Sequence, residues 1–214
     1  MLDLYERRWE GALLHPGDYV ISADEKSQLQ ALLGRHDQVA SGPGRTGLRE
    51  FEYTRLGTLA YLAAMDVHDP KRGLFGRCEA KTGIEPFGRL VEQVMTTEPY
   101  ASAQRVFFVV DNGSSHAGKR SIDRLQGARP NLVLVHLPVH ASWLNQIEIY
   151  FSILQRKALT PRHFASLAAL DERIMSFQED WKQVAKPIDW PYTRRDLNDY
   201  LARLTEQDRL PRAA

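Results

Sequence analysis

A mixed α/β sheet with helices packed on both faces is the fold class that this sequence predicts. Three observations carry it. The first half holds short runs in which apolar residues cluster or alternate with period two, as strands do. Residues 104–110 read as a strand whose last five residues, Val106 to Val110, are all apolar, as expected of a parallel strand buried on both faces. From residue 82 onward, apolar side chains otherwise recur every three or four positions, the spacing of amphipathic helices.

Residues 18–24 read as a short buried strand, and Pro43 with Gly42, Gly44 and Gly47 as a turn-rich connection. Residues 49–55 alternate polar with aromatic, like a half-exposed strand, and 57–67 and 73–80 read as two more strands around Asp69-Pro70-Lys71-Arg72-Gly73. Thr82 and Glu85 have the spacing of a capping box, opening a helix that carries Phe87, Leu90, Val91, Val94 and Met95. After the 104–110 strand come a helix from about Ser115 to Gly127, a strand at 132–137 and a helix from about Ser142. A further helix shows Leu167, Leu170, Ile174, Phe177, Trp181 and Val184. The last, capped by Thr193, carries Leu197, Tyr200, Leu201 and Leu204.

The chain has 214 residues, enough for one domain with a sizeable core. Hydrophobic content of 43% and charged content of 26% are those of a globular protein without membrane spans. A formal net charge of +1 neither requires nor excludes a nucleic-acid partner. The charged N-terminus is not a secretory signal, and Cys78, the single cysteine, rules out an internal disulfide or a cysteine-based zinc site. The compartment reads as cytoplasmic.

The chemistry rests on three acids. Asp111 closes the apolar strand, Asp24 closes the run from Asp18, and Glu148 lies on a helix reached after an intervening helix and strand. On that helix Asn145, Glu148 and Ser152 share one face. Singly, each has an ordinary explanation: Asp111 as a helix cap, Glu148 as a solvated face residue, Asp24 as a turn former. Together they sit at one expected sheet edge, where ligands gather in such folds. Carboxylates gathered there can hold divalent cations for phosphodiester chemistry. Asp66 and Asp69 compete for the place of Asp24, but Asp69-Pro70 reads as a turn and Asp66 is less well placed.

The segment Val109 to His116, with Leu137 to Glu148, resembles insertion-sequence transposases of the Tc/mariner superfamily, DDE enzymes of bacteria with a ribonuclease H-like core. Asp111, Asn112 and His116 match that family's Asp-Asn-x-x-x-His setting. Trp143, Leu144, Asn145, Ile147 and Glu148 match Trp-Leu-Asn-x-Ile-Glu, while Asp24 and Glu25 match the first Asp-Glu pair. The closing stretch from Asp189 to Leu197 matches as well. The resemblance implies a mixed five-stranded ribonuclease H-like sheet over residues 18–160 with a helical extension over 161–214. It implies DNA transposition by strand cleavage and transfer, with transposon ends and a TA target as the DNA partners, and with homodimer assembly in view. Asp24, Asp111 and Glu148 are then the catalytic acids, holding two Mg2+ (or Mn2+) ions about 3.5–4 Å apart. Asn112, His116, Trp143 and Asn145 support them. The family carries a helix-turn-helix ahead of its core, whereas residues 1–17 here read as a linker and N-terminal helix remnant, so the chain is expected to be a catalytic domain alone.

Arg156 and Lys157, two turns beyond Glu148, are the first choice for backbone phosphate contacts, while the basic pairs at 71–72, 119–120 and 194–195 read mostly as solvated surface. His136 and His140 flank Pro138 and lack the helical register of a zinc pair. The tryptophans, Trp143 included, read as core rather than base-stacking residues. Two other functions fit the same residues: a catalytically silent remnant acting through protein contacts, and another nuclease of this fold acting on an RNA–DNA hybrid.

Overall fold

A single long strand organises the fold. The computed structural model describes residues 1–35, 42–43, 52–113, 119–139, 141–160 and 163–209. The chain enters through a one-turn helix α1 (Leu2–Tyr5) and a small ribbon, β1 (Arg8–Trp9) with β2 (Ala12–Leu13). It then runs into β3 (Asp18–Gly34), followed by β4 (Tyr53–Asp66), β5 (Leu74–Glu79), α2 (Ile84–Met95), β6 (Arg105–Val110), α3 (Lys119–Ala128) and β7 (Leu132–His136). Helices α4 (Ile147–Lys157), α5 (Leu167–Val184) and α6 (Arg194–Arg209) complete it. Among the described residues the main sheet has five strands in the order β5-β4-β3-β6-β7. β3, β4 and β5 form an antiparallel meander, while β6 and β7 run parallel to β3.

Both faces are covered, because side chains alternate along each strand. Ile21, Ala23, Phe108 and Val110 pack against α2 and against Leu125 of α3. On the other face, Val20, Phe107 and Val109 meet Leu2, Leu4 and Leu144, and Tyr61, Ala63 and Met65 meet α4 and α5. Each fully buried large apolar side chain contributes about 1.5–3 kcal/mol.

The first strand is far longer than the expected 18–24 segment, and 49–55 and 57–67 are not two strands. From Tyr53, β4 is continuous to Asp66, while Arg49, Glu50 and Phe51 lie outside the described residues. Two bulges explain the difference. Between Lys26 and Leu29, β3 advances three residues against two on β4; between Gln30 and Leu32, β4 advances three against two on β3. Gln28 (φ 55°) and Gly57 (φ 123°) take the left-handed backbone that these irregularities require. The first bulge inverts the side-chain phase: Ser22 and Asp24 face the α4 side before it, and Leu29 and Ala31 face that side after it. A hydrophobic pattern that changes phase mid-strand reads in sequence as two short strands or a turn.

The capping box at Thr82 and Glu85 does not form. Gly83 occupies the N-cap position with φ 141° and no side-chain cap, and Glu85 falls inside the first turn, where it complements the helix dipole instead. At α6 the box does form, with Asp196 as the acidic member: the Thr193 hydroxyl and N–H donate to Asp196 Oδ2 at 2.7 and 2.8 Å.

The parallel pairing of β3 with β6 begins at an ion pair. Arg105 Nε and Nη2 donate to Asp18 at 3.1 and 2.6 Å, with the Asp18 side chain fully buried and its residue opposite Arg105 in register. Burial alone raises the Asp18 carboxyl, but the Arg105 hydrogen bonds, the His15 N–H and the Arg105 charge hold it below the ordinary aspartate range. A carboxyl lowered in the folded state stabilises fully above its unfolded value and loses that contribution as pH falls through the folded one. Asp18→Asn is therefore expected to cost about 2 kcal/mol at neutral pH by urea denaturation. The gap between variant and wild type should close between roughly pH 5 and pH 2.

Candidate active site

The β3–β6 register brings two of the expected acids side by side. Pairing runs from Asp18 opposite Arg105 to Ser22 opposite Val109. Carried two residues further, it sets Asp24 beside Asp111 on neighbouring strands about 4.8 Å apart, with both side chains on the face that α4 covers. Asp24 is buried at 6% exposure, its Oδ1 accepting the Glu25 N–H at 2.8 Å. Asp111 is half-buried and forms a tight turn, Oδ1 accepting the Gly113 N–H at 2.7 Å. Asn112 closes the strand ends by donating to the Leu137 carbonyl at 2.7 Å.

The third acid comes from a helix that begins later than expected. Ser142–Leu144 is a 3-10 turn, Asn145 is extended (φ −77°, ψ 112°), and α4 starts only at Ile147. Asn145 therefore does not share a helical face with Glu148 and Ser152. Released from the helix, its buried side chain turns into the sheet: Nδ2 donates to Asp24 Oδ2 at 3.1 Å and to the Ala23 carbonyl at 2.9 Å. Its Oδ1 accepts from Ser22 Oγ, which in turn accepts the Ile147 N–H at 2.8 Å. The start of α4 is thus pinned to β3 at Ile147, one residue before Glu148. Below, the Tyr5 hydroxyl donates to the Leu144 carbonyl at 3.0 Å, and the buried trio Tyr61, Tyr150 and Gln178 ties α4 to β4 and α5 at 2.8–3.1 Å.

Glu148 is solvent-exposed and, among the described residues, no hydrogen bond or ion pair holds its carboxylate. The surrounding protein raises this carboxyl above the usual glutamate range. Lys26 opposes the shift, and the like charge of Asp111 adds to it. Exposure to water limits these effects, but their origin places Asp111, Lys26 and Glu148 within one electrostatic neighbourhood. Among the described residues no group of three acids, histidines or cysteines lies close enough to grip a metal as it stands. The donor set nonetheless fits one: carboxylates brought to a shared edge repel each other, and a divalent cation between them would offset that repulsion.

Asp66 is not part of this edge. It is buried at 1% exposure at the far end of β4, bonded to Arg72 and to the Tyr100 hydroxyl at 3.1 and 3.0 Å. Trp143 is not core: at 40% exposure it stacks edge-on with Tyr192 and Tyr200, joining the 3-10 turn to the C-terminal segment. Arg156 and Lys157 are exposed on the last turn of α4. His116 and His140 lie outside the described residues. Sequence reading missed Ser22 and Tyr5. The signal for Ser22 was a lone hydroxyl in an apolar strand, two residues before Asp24 and hence on its face.

A meander continued by two parallel strands, with helices on both faces, is a ribonuclease H-like fold. More narrowly, the chain belongs to the DDE superfamily endonuclease family, whose profile matches residues 20–171. Solved structures with the same fold include the Mos1 mariner paired-end complex with Mn (TM-score 0.59, 15% identity, covering 86% of this chain and 54% of that one). The Mos1 strand transfer complex matches at TM-score 0.54 and 13% identity, covering 87% and 52%. The Mos1 catalytic domain with raltegravir and Mg matches at TM-score 0.51 and 13% identity, covering 87% and 78%. The chain spans about half the length of the Mos1 chains in the first two. No curated protein matches it.

Ser22→Ala should leave the Asn145 Oδ1 and the Ile147 N–H unpaired in a buried setting. The expected cost is about 1–3 kcal/mol of stability by chemical denaturation. Glu148→Gln, which removes no internal bond among the described residues, should stay within about 0.5 kcal/mol of wild type.

Proposed function

We propose that this DDE endonuclease domain is the catalytic part of a Tc/mariner-like transposase, cutting DNA at transposon ends and joining the freed ends to target DNA. The observation that carries the reading is the β3–β6 register, which aligns Asp24 with Asp111 on the face where Asn145 anchors the helix of Glu148. In this reading residues 18–160 are the catalytic core, 161–214 a helical extension packed on it, and 1–17 a linker and N-terminal helix remnant. No described helix is long and apolar enough to cross a membrane, and a cytoplasmic enzyme acting as a homodimer completes the proposal.

Asp24, Asp111 and Glu148 would hold divalent cations, Mg2+ or Mn2+, two per site. When bound, such ions activate the attacking oxygen and stabilise the leaving 3′ oxygen. The chain's own residues do the positioning. Asn145 fixes the Asp24 carboxylate from behind, so its orientation survives the approach of a polyanionic substrate. Asn112 holds the β6 end against the β7 end, and with it Asp111. Glu148, on an anchored helix yet open to solvent, is the acid best able to adjust its reach as substrate binds. Arg156 and Lys157 extend the same helix toward the phosphate backbone, and Trp143 braces the turn that leads into it.

The reading favours a working enzyme over a silent remnant because all three acids are present and the Asp24 carboxylate is held by the buried Asn145 amide. Asp111→Asn and Glu148→Gln are each expected to lower magnesium-dependent nicking of duplex DNA by about a thousandfold or more. Both should leave the thermal melt nearly unchanged. Undiminished nicking in both variants would show that the chemistry lies elsewhere. Cleavage of an RNA–DNA hybrid in preference to duplex DNA would assign a nuclease instead.

A further inference from the structure

The bulge in β3 opens a groove beside the acids. Just past Lys26 the strand departs from regular pairing, Gln28 turns left-handed, and Ser27 and Gln28 are pushed into solvent. Between this stretch and the C-terminal half of α4 lies a cleft walled by Lys26, Ser27, Gln28, Gln30 and Gln155. Its floor is apolar, with Leu29 and Phe164 beneath. Among the described residues no acid lines it.

Lys26 stands at the end nearest the acids. It precedes the bulge, so it keeps the phase of Ser22 and Asp24 and projects from the same face of β3. Its charge reaches the Glu148 carboxylate, yet among the described residues it forms no ion pair. At the other wall, Gln155 is followed directly by Arg156 and Lys157, which extend the positive edge along α4. Lys26 and Gln30 pair with Tyr61 and Thr58, three residues apart on β4, so the bulged stretch covers about 10 Å at roughly 3.3 Å per residue of β4. That corresponds to about three nucleotides at the roughly 3.4 Å rise of one strand in a duplex. One cation, several neutral amides and a hydroxyl over an apolar floor suit a sugar–phosphate backbone bound without regard to base sequence.

We propose that this groove carries the DNA strand adjoining the cleaved bond, with Lys26 contacting the phosphate next to it and Gln28 and Gln155 contacting the backbone beyond. Lys26 is a positioning residue: it sets where the strand lies relative to Asp24, Asp111 and Glu148. The proposal rests on the catalytic reading given above and adds the path of the substrate to it.

The test uses the full 214-residue chain and a short fluorescent duplex of mixed sequence. Binding is followed by anisotropy without divalent metal over a range of salt concentrations, and nicking of the same duplex is followed with magnesium. Lys26→Gln should reduce the slope of log affinity against log salt by about one, the signature of one lost phosphate contact. It should also weaken binding by about five- to tenfold and raise KM more than it lowers kcat. Lys26→Arg should restore the slope. Gln28→Ala and Gln155→Ala should weaken binding about two- to threefold with the slope unchanged. Melting temperatures of all four variants serve as the check on folding. Unchanged affinity and slope in Lys26→Gln, with nicking still abolished by Asp111→Asn, overturns the groove and leaves the catalytic reading standing. Nicking that survives Asp111→Asn and Glu148→Gln overturns the catalytic reading. A wild-type chain that does not bind duplex DNA overturns the groove as well.

Discussion

The constraint on which the candidate site depends is the register between β3 and β6. Two parallel strands that slip by one residue turn every side chain to the opposite face, and here a slip would send either Asp24 or Asp111 into the apolar layer under α2. The register is held at its start by the Asp18–Arg105 pair and along its length by residues that are buried on both faces, among them Val20, Ile21, Phe107 and Phe108. Parallel strands cannot be set by a tight turn, since a long crossover separates them. A charged pair at the first position does for this junction what a hairpin does for β4 and β5.

A second layer of order comes from Asn145. A buried amide has to satisfy its donors and acceptor, and Asn145 does so on three successive residues of β3: the Ala23 carbonyl, the Asp24 carboxylate and the Ser22 hydroxyl, which also caps the start of α4. The position of Glu148 is inherited from that node and from the Tyr61–Tyr150–Gln178 bonds a turn further on. The rigid parts of the site are therefore behind it, while the acid that faces solvent is left without an internal partner among the described residues.

Much of this was legible in the sequence, and the remainder was hidden for identifiable reasons. The unbroken apolar run before Asp111 announced a central parallel strand, and the three- and four-residue spacing from Phe87 to Met95 announced a buried helical face; both are strong periodic signals. The length of β3 was hidden because its bulge reverses the inside–outside phase after Lys26. The late start of α4 was hidden because Ser142, Trp143 and Leu144 fit a helical pattern that a 3-10 turn also satisfies over so short a span. Thr82 and Glu85 have capping-box spacing, but Gly83 takes the N-cap with a backbone that few other residues adopt. Tyr5 could not be foreseen at all, since its partner is 139 residues away.

The two bulges in the β3–β4 hairpin have a bearing on how such a domain can change over time. Each strand carries one surplus residue, so the outer part of the hairpin returns to the alignment it would have had without either irregularity. The portion beyond Leu32 and Arg55 is thereby kept in the same side-chain phase against β4 as the portion that bears Asp24. Losing one irregularity without the other would displace that outer portion by one residue against its partner and turn its side chains over, so the two surplus residues have to be kept or lost together.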